Sequence, residues 1–584
     1  MPTKKPARAK PATPAPIAQP TCPYRVIALD PSVRGADGAV LTALIEIPNE
    51  ELAPGPRGYR VQVIDYDASN RILYRPAPYK GSDLLKVVAN PEKDRAFQAR
   101  NVYAIVMRVL ARFERSLGRR VRWSFPGHQL TIAPHAFQDL NAFYSKEDRA
   151  IFFGYYPGDS GMVFTCLSHE VVAHETTHAL VDGLRDGYLR PSSPDQAAFH
   201  EGFADIVALF SVLSLREVVS AGLDLRTSGK KDLVKASVLT EKALKQGVLL
   251  GLAQQVGETM YGTHGVALRR SIELPVSPKL AASEEFSECH RRGELLVAAV
   301  LGAFLKVWKR RIDLYGKLQH GMVSRIGVVD AAVETAEHLL TMAIRALDYC
   351  PPTDLLFSDF LSAMLTADYE MQPDDSRYEF RQALLGAFAA LGFQPASQDA
   401  AEPGLWAGPD VKNLRYGRTH FESMRHDKDE IFRFLWENRA ALKVDEDAYT
   451  RVEDVMPCYR VGTDGFLLHE TVAVYSQQVR MQARDLKKFG LTRPDGMPAD
   501  LDLTIFGGGT LILDESGRLK YHVRNRIRSA ERQNPRLEYL WTHGGFSGTK
   551  SFGLLHLERV LRGDVAGETD VTGETQAQDE EHAE

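Results

Sequence analysis

Two stretches decide how this chain is built: His174-Glu175-Thr176-Thr177-His178 and, after 22 intervening residues, Glu201-Gly202-Phe203-Ala204-Asp205. At about 100° per residue on a helix, His174 and His178 leave nearly the same face one turn apart, so both imidazoles can reach one metal ion. Two neutral histidines and one carboxylate give a tetrahedral zinc ion three ligands and leave one position for water, which a nearby carboxylate can deprotonate. His174, His178 and Glu201 are therefore the candidate ligands of one catalytic zinc ion, and Glu175 is the candidate general base. The flanking Val171, Val172, Ala173, Ala179, Leu180 and Val181 predict a mostly buried helix, where two histidines and a glutamate are costly without a metal or partners. Glu201 and Asp205 repeat the one-turn spacing on a second helix that runs on through Ile206-Val207-Ala208-Leu209-Phe210. Asp205 would accept a hydrogen bond from the outer nitrogen of a ligating histidine and strengthen it as a ligand.

The run from Val171 to Asp182 resembles the active-site helix of the thermolysin-like zinc endopeptidases, the gluzincins. The resemblance covers roughly residues 95–395 and implies an α+β fold, a two-lobed zincin with the metal between a β-rich first lobe, to about residue 190, and a helical second lobe. It implies a peptide or protein substrate. Asn141-Ala142-Phe143-Tyr144 is similar to the family's edge strand, where Asn141 and Ala142 would bind the substrate backbone by strand addition. Ala267-Leu268-Arg269 resembles the segment whose arginine holds a substrate carbonyl. His290 matches the histidine that stabilises the tetrahedral intermediate, with His264 as its rival. Glu285 is the candidate carboxylate to orient that imidazole, with Glu284 and Glu288 close by. Tyr188 is the match for the second oxyanion donor. The chain also departs from the family. The segment between Glu201 and Arg269 is longer, with a Lys-rich stretch at Ser228–Asp232, and Val212 stands where a calcium-binding glutamate is expected, although Glu170 matches another calcium carboxylate. This argues against a paired calcium site.

Composition is that of an ordinary globular protein, 44% hydrophobic and 25% charged, and a net charge of −5 argues against a nucleic-acid partner. Cys22, Cys166, Cys289, Cys350 and Cys458 are scattered and odd in number, so free thiols are expected rather than a disulfide framework. Residues 1–22, rich in Pro, Ala and Lys without an apolar core, read as a disordered tail and not as a secretory signal. With no run of about 18 apolar residues, no membrane span is expected and a cytoplasmic location follows as the expectation. Oligomeric state stays open.

Residues 23–94 alternate apolar and polar positions, as in Tyr59-Arg60-Val61-Gln62-Val63-Ile64, which predicts a separate N-terminal β region. A linker is expected at 396–412, an α+β accessory domain at 413–562 and an acidic disordered tail at 563–584. Within the accessory domain, Leu501–Phe506 and Thr510–Leu513 read as two strands with a turn at Gly507-Gly508-Gly509. Gly544–Ser551 matches a phosphate loop only loosely, because Thr549 interrupts the Gly-Lys pair. Two other readings share the zinc groups: an aminopeptidase, and a silent or latent zincin that acts as a binding or scaffold protein.

Overall fold

The computed structural model describes residues 20–35, 38–78, 81–158, 161–224, 232–245, 270–316, 321–397, 403–409, 414–461, 465 and 467–546. The architecture mixes helices with several separate sheets, the α+β class that the sequence predicts. Residues 1–19 of the expected N-terminal tail, the expected C-terminal tail, Arg269, His264, most of the Lys-rich stretch and most of the Gly544–Ser551 segment lie outside the described residues, while Thr21 and Cys22, placed in the tail by the sequence, belong to a strand.

The chain opens with an antiparallel pair, β1 (Thr21–Ile27) and β2 (Thr42–Pro48). The short β3 (Val61–Val63) follows, then a small hairpin of β4 (Tyr66–Asp67) and β5 (Ile72–Leu73). Helix α1 (Arg95–Leu117) starts at Asp94, whose carboxylate accepts the Phe97 N–H at 2.9 Å, and ends at Gly118 in the left-handed conformation. Four strands come next: β6 (Leu130–Gln138), β7 (Ala142–Ser145), β8 (Ala150–Gly158) and β9 (Gly161–Phe164). The central sheet has the order β3-β6-β8-β7, with β3 and β6 parallel, β6 and β8 parallel, and β7 antiparallel to β8. β9 pairs with the far half of β8, so β7 is left as a short edge strand.

The segment 23–94, expected as a β region, holds most of these first strands and is tied to the central sheet and its helices. β3 completes the central sheet, the Ile27 N–H donates to Asn101 on α1 at 2.9 Å, and the His169 N–H donates to the Leu29 carbonyl at 2.7 Å. The alternation in Tyr59–Ile64 marks a strand without saying which sheet receives it.

Beyond the sheet come α2 (His169–Leu184), α3 (Pro194–Leu213), α4 (Arg216–Asp224) and the single turn α5 (Glu241–Leu244). They are followed by α6 (Cys289–Leu314), α7 (Arg325–Ala346), α8 (Phe357–Met371) and α9 (Phe380–Ala389). Only the pair β10 (Leu233–Lys235) and β11 (Met322–Ser324) interrupts the helices among the described residues. α3 and α6 cross where a Cβ on Gly202 would lie 2.9 Å from the Gly293 carbonyl, so the two glycines permit a contact that any side chain would push apart. Among the described residues no single helix is long and apolar enough to cross a membrane.

The last third is an antiparallel meander of β12 (Tyr449–Val461), β13 (Leu467–Gln482), β14 (Asp502–Leu513) and β15 (Leu519–Asn525). The expected turn at Gly507–Gly509 is not there: β14 runs through these glycines in register with Gln477, Ser476 and Tyr475. A Cβ on Gly508 would lie 2.3 Å from the Tyr475 carbonyl, so the glycines serve close backbone approach within a strand, which a reading of glycine as punctuation misses. One face of the sheet, with Met456, Cys458, Val472, Val474 and Ile512, joins the core of the helical region. The other, with Ala473, Tyr475 and Leu511, packs on Ile431, Phe434 and Leu435 of the helix Lys428–Glu437.

A buried ion cluster fastens this sheet down. Asp348, after α7, accepts from both terminal nitrogens of Arg119 at 2.6 and 2.7 Å and from Arg460 of β12, which also donates to Glu470 at 2.8 Å. Burial alone would raise the Asp348 pKa, but the Arg119, Arg460 and Arg185 guanidinia overcome it and hold it at about 2. Removing one partner of such a cluster strands the rest, at a cost on the order of 3–5 kcal/mol. Asp348→Asn should lower the unfolding free energy by that amount at neutral pH. A carboxylate held below its unfolded pKa gives stability that is complete above that value and is lost as pH falls through the folded one, so the deficit should shrink between about pH 4 and pH 2. Denaturant melts across that range check both the size and the sign.

Candidate active site

α2 is buried on every side from His169 to Asp182. Its capping residue Ser168 accepts the Val171 N–H, and the Thr176 and Thr177 hydroxyls donate to the Val172 and Ala173 carbonyls at 2.6 and 2.7 Å, so these polar groups are satisfied within the helix. α3 starts in the favoured way, with Ser193 accepting the Gln196 N–H at 3.1 Å and Pro194 in the first turn. Its packing against α2 brings Glu201 to the two histidines.

The Nε2 atoms of His174 and His178 lie 2.8 Å apart, and the Glu201 carboxylate reaches them at 3.4 and 3.7 Å. Donors bound to one zinc ion at 2.0–2.1 Å in tetrahedral geometry sit roughly 3.3 Å apart, so the three groups fit a common cation. Asp205 accepts from His174 Nδ1 at 2.8 Å, which fixes that tautomer and leaves the Nε2 lone pair aimed at His178. Burial disfavours a charged His174, yet Asp205 and Glu201 outweigh it and hold the imidazole pKa well above its ordinary value, the signature of a pocket that attracts positive charge. His174, Glu175 and His178 form one of two groups of potential metal donors among the described residues.

Glu175 faces the edge strand. Its Oε2 accepts the backbone N–H of Tyr144 at 3.0 Å, and the Tyr144 hydroxyl donates to Asp182, about two turns further along α2, at 3.0 Å. Because Tyr144 turns its amide away from β8, the two-residue repeat of a strand turns the Ala142 carbonyl the same way. Asn141 instead anchors the strand start, its carbonyl accepting from Gly154 at 2.8 Å and its side chain from the Ala142 N–H at 2.7 Å.

Two sequence expectations are corrected. Tyr188 is fully buried, its ring edge-on to Phe199 and its hydroxyl donating to the Pro351 carbonyl at 2.7 Å, so it is a core residue and not an oxyanion donor. Glu285 pairs with Arg291, and the carboxylate that meets His290 is Glu288, from Oε1 to Nδ1 at 2.6 Å. His290 itself opens α6, one turn before the Gly293 crossing with α3.

Sequence reasoning passed over His200. Its Nδ1 lies 2.9 Å from His178 Nδ1 and the rings stack, so His174 and His178 each have a partner on α3. Its place beside Glu201 was the available signal. Glu294 also went unremarked: buried, it is pushed up to about 7, with Asp205 and Glu288 raising it against Arg291 and Arg270.

No protein-family model matches the chain, and no curated protein is significantly similar to it.

Two substitutions test the surroundings of the cluster. Asp205→Ala should weaken metal affinity by roughly tenfold to a hundredfold, the usual cost of losing the partner of a ligating histidine; competition with a chromogenic chelator measures it, and an unchanged affinity removes Asp205 from this role. Glu170, buried near Asp205 and Asp30, has its pKa raised to about 7 by burial first and by those charges second. A carboxyl raised in this way destabilises the fold as pH climbs from its unfolded value through the folded one. Glu170→Gln should therefore raise the melting temperature at pH 8 and leave it nearly unchanged at pH 4. Calcium bound to Glu170 would reverse the effect at pH 8.

Proposed function

We propose that this chain is a zinc-dependent peptidase of the thermolysin-like kind, a two-lobed zincin that hydrolyses peptide bonds in a protein or peptide substrate, and an endopeptidase by preference. The observation that carries the reading is the meeting of His174, His178 and Glu201 within 3.7 Å of one another, with Glu175 alongside on the same buried helix. These residues would hold zinc, which when bound supplies a Lewis acid for the scissile carbonyl and acidifies water.

The remaining steps belong to the chain's own side chains. A substrate in extended form would lie along β7 and pair with its outward-facing backbone at Ala142, which sets the peptide beside Glu175. Glu175 takes the proton of the attacking water and returns one to the leaving amine, an exchange suited to a carboxylate in a dry, hydrogen-bonded site. The Tyr144 amide fixes its Oε2. His290, whose Nδ1 is turned onto Glu288, keeps Nε2 for the developing oxyanion, and Tyr188 takes no part. An intact general base favours an enzyme over a purely structural metal centre, which has no use for one.

The deciding experiment presents the purified protein with a mixed peptide library, with and without a zinc chelator, beside Glu175→Gln. Cleavage abolished by the chelator and lowered at least a hundredfold by the variant, which should still bind zinc, is the expected result. Zinc-loaded wild type without cleavage, or a fully active variant, rejects the mechanism. Blocked and free N-termini in the library separate endopeptidase from aminopeptidase action.

A further inference from the structure

The second group of potential metal donors among the described residues is Glu288, Cys289 and His290. Consecutive side chains on a helix normally fan out by about 100° each. Here they converge because Glu288 is the capping residue of α6, still extended at φ −72° and ψ 135°. Its Oε2 accepts the Arg291 N–H at 2.8 Å, which folds the side chain back over the first turn. The other oxygen then meets His290 Nδ1 at 2.6 Å and Cys289 Sγ at 3.2 Å, while Sγ and Nδ1 are 3.3 Å apart.

We propose that Glu288, Cys289 and His290 form a second metal site, selective for a thiophilic divalent cation such as Zn2+ or Cd2+. Thiolate, imidazole and carboxylate together are a donor set that such ions prefer over Mg2+ or Ca2+. Three protein donors leave the fourth tetrahedral position to water. Donors around one zinc ion at 2.0–2.3 Å lie roughly 3.3–3.6 Å apart, and a small outward rotation of the half-exposed Glu288 carboxylate opens the trio to that spacing. Neighbouring cations do not compete for Glu288, because Arg291 is paired with Glu285 and Glu294, and Arg292 with Asp195. Binding replaces the thiol proton, which is released to solvent. Ligation through Nδ1 also leaves the His290 proton on Nε2, the tautomer that can donate a hydrogen bond outward.

The two metal groups differ in one decisive respect: only the second contains sulfur. Metal-free full-length protein is titrated with Cd2+ while bound metal is counted by elemental mass spectrometry and thiolate-to-metal charge transfer is followed in the ultraviolet. Wild type should bind two equivalents, with the charge-transfer band saturating at one thiolate per chain. Cys289→Ser, with an unchanged circular dichroism spectrum, should lose the band and bind one equivalent. His290→Ala should shift the band to higher Cd2+ concentration. His178→Ala should keep the band intact, which separates this site from the peptidase reading. A wild-type titration saturated without the band, or a band undiminished in Cys289→Ser, overturns the proposal.

Discussion

The constraint on which the whole structure turns is that α2 is buried on all sides while carrying three imidazoles, of His169, His174 and His178, and three carboxyl groups, of Glu170, Glu175 and Asp182. A buried ionisable group stays charged only when something nearby compensates it. The surroundings of α2 are arranged to do this. Asp205 and His200 from α3 hold the outer nitrogens of His174 and His178, and the Tyr144 amide holds Glu175. What these contacts leave over is negative charge facing two ring nitrogens, which is the description of a cation site. The same burial lifts Glu170 to about 7 and lowers His169 to about 3, so the cost of burying charge is spread along the helix.

Positioning follows from two close approaches of backbone. Gly183 near the end of α2 sits where a Cβ would meet the Arg122 carbonyl at 2.0 Å, and Gly202 beside Glu201 sits where one would meet the Gly293 carbonyl. The first sets α2 against the chain entering the central sheet, and the second sets α3 against α6. A side-chain cluster assembled from two helices and a strand needs this precision, because groups displaced by an ångström no longer converge on one point. Placing β7 at the sheet edge completes the arrangement, since a central strand would spend on a neighbouring strand the Tyr144 amide that here meets Glu175.

The cluster was legible in the sequence because helical spacing is local: His174 and His178, like Glu201 and Asp205, are one turn apart on any helix. So was the edge strand at Asn141-Ala142, through its resemblance to a known segment. His200 was not legible, since its partnership with His178 depends on the angle at which α3 crosses α2. Tyr188 failed for the opposite reason. Its position in the chain suited an oxyanion donor, but its hydroxyl was claimed by the Pro351 carbonyl, a contact set by tertiary packing. Gly507–Gly509 shows the limit of reading turns from glycine, because a glycine that lets two backbones meet looks the same in sequence as one that bends the chain.

The C-terminal sheet reads in sequence as an appendage behind a linker, yet the structure makes it part of the frame that holds the site. The segment from Leu347 to Phe357 carries the connection. On one side its Leu347 carbonyl accepts from Arg185, its Pro351 carbonyl from Tyr188, and its Leu355 and Phe357 amides donate to Gln196 and Asp195, all in or beside the loop that joins α2 to α3. On the other side Thr510 of β14 donates to the Cys350 carbonyl and Asn525 of β15 to the Asp354 carbonyl. Removing the sheet would take Met456, Cys458, Val472 and Ile512 out of the core they share with the helices and leave Asp348 with fewer counter-charges. The loop between α2 and α3 would lose its backing in the same event. An inhibitory domain can be cut away without harm to what it covers, whereas the packing of this sheet gives it a supporting role, because it backs the segment on which the loop between α2 and α3 rests.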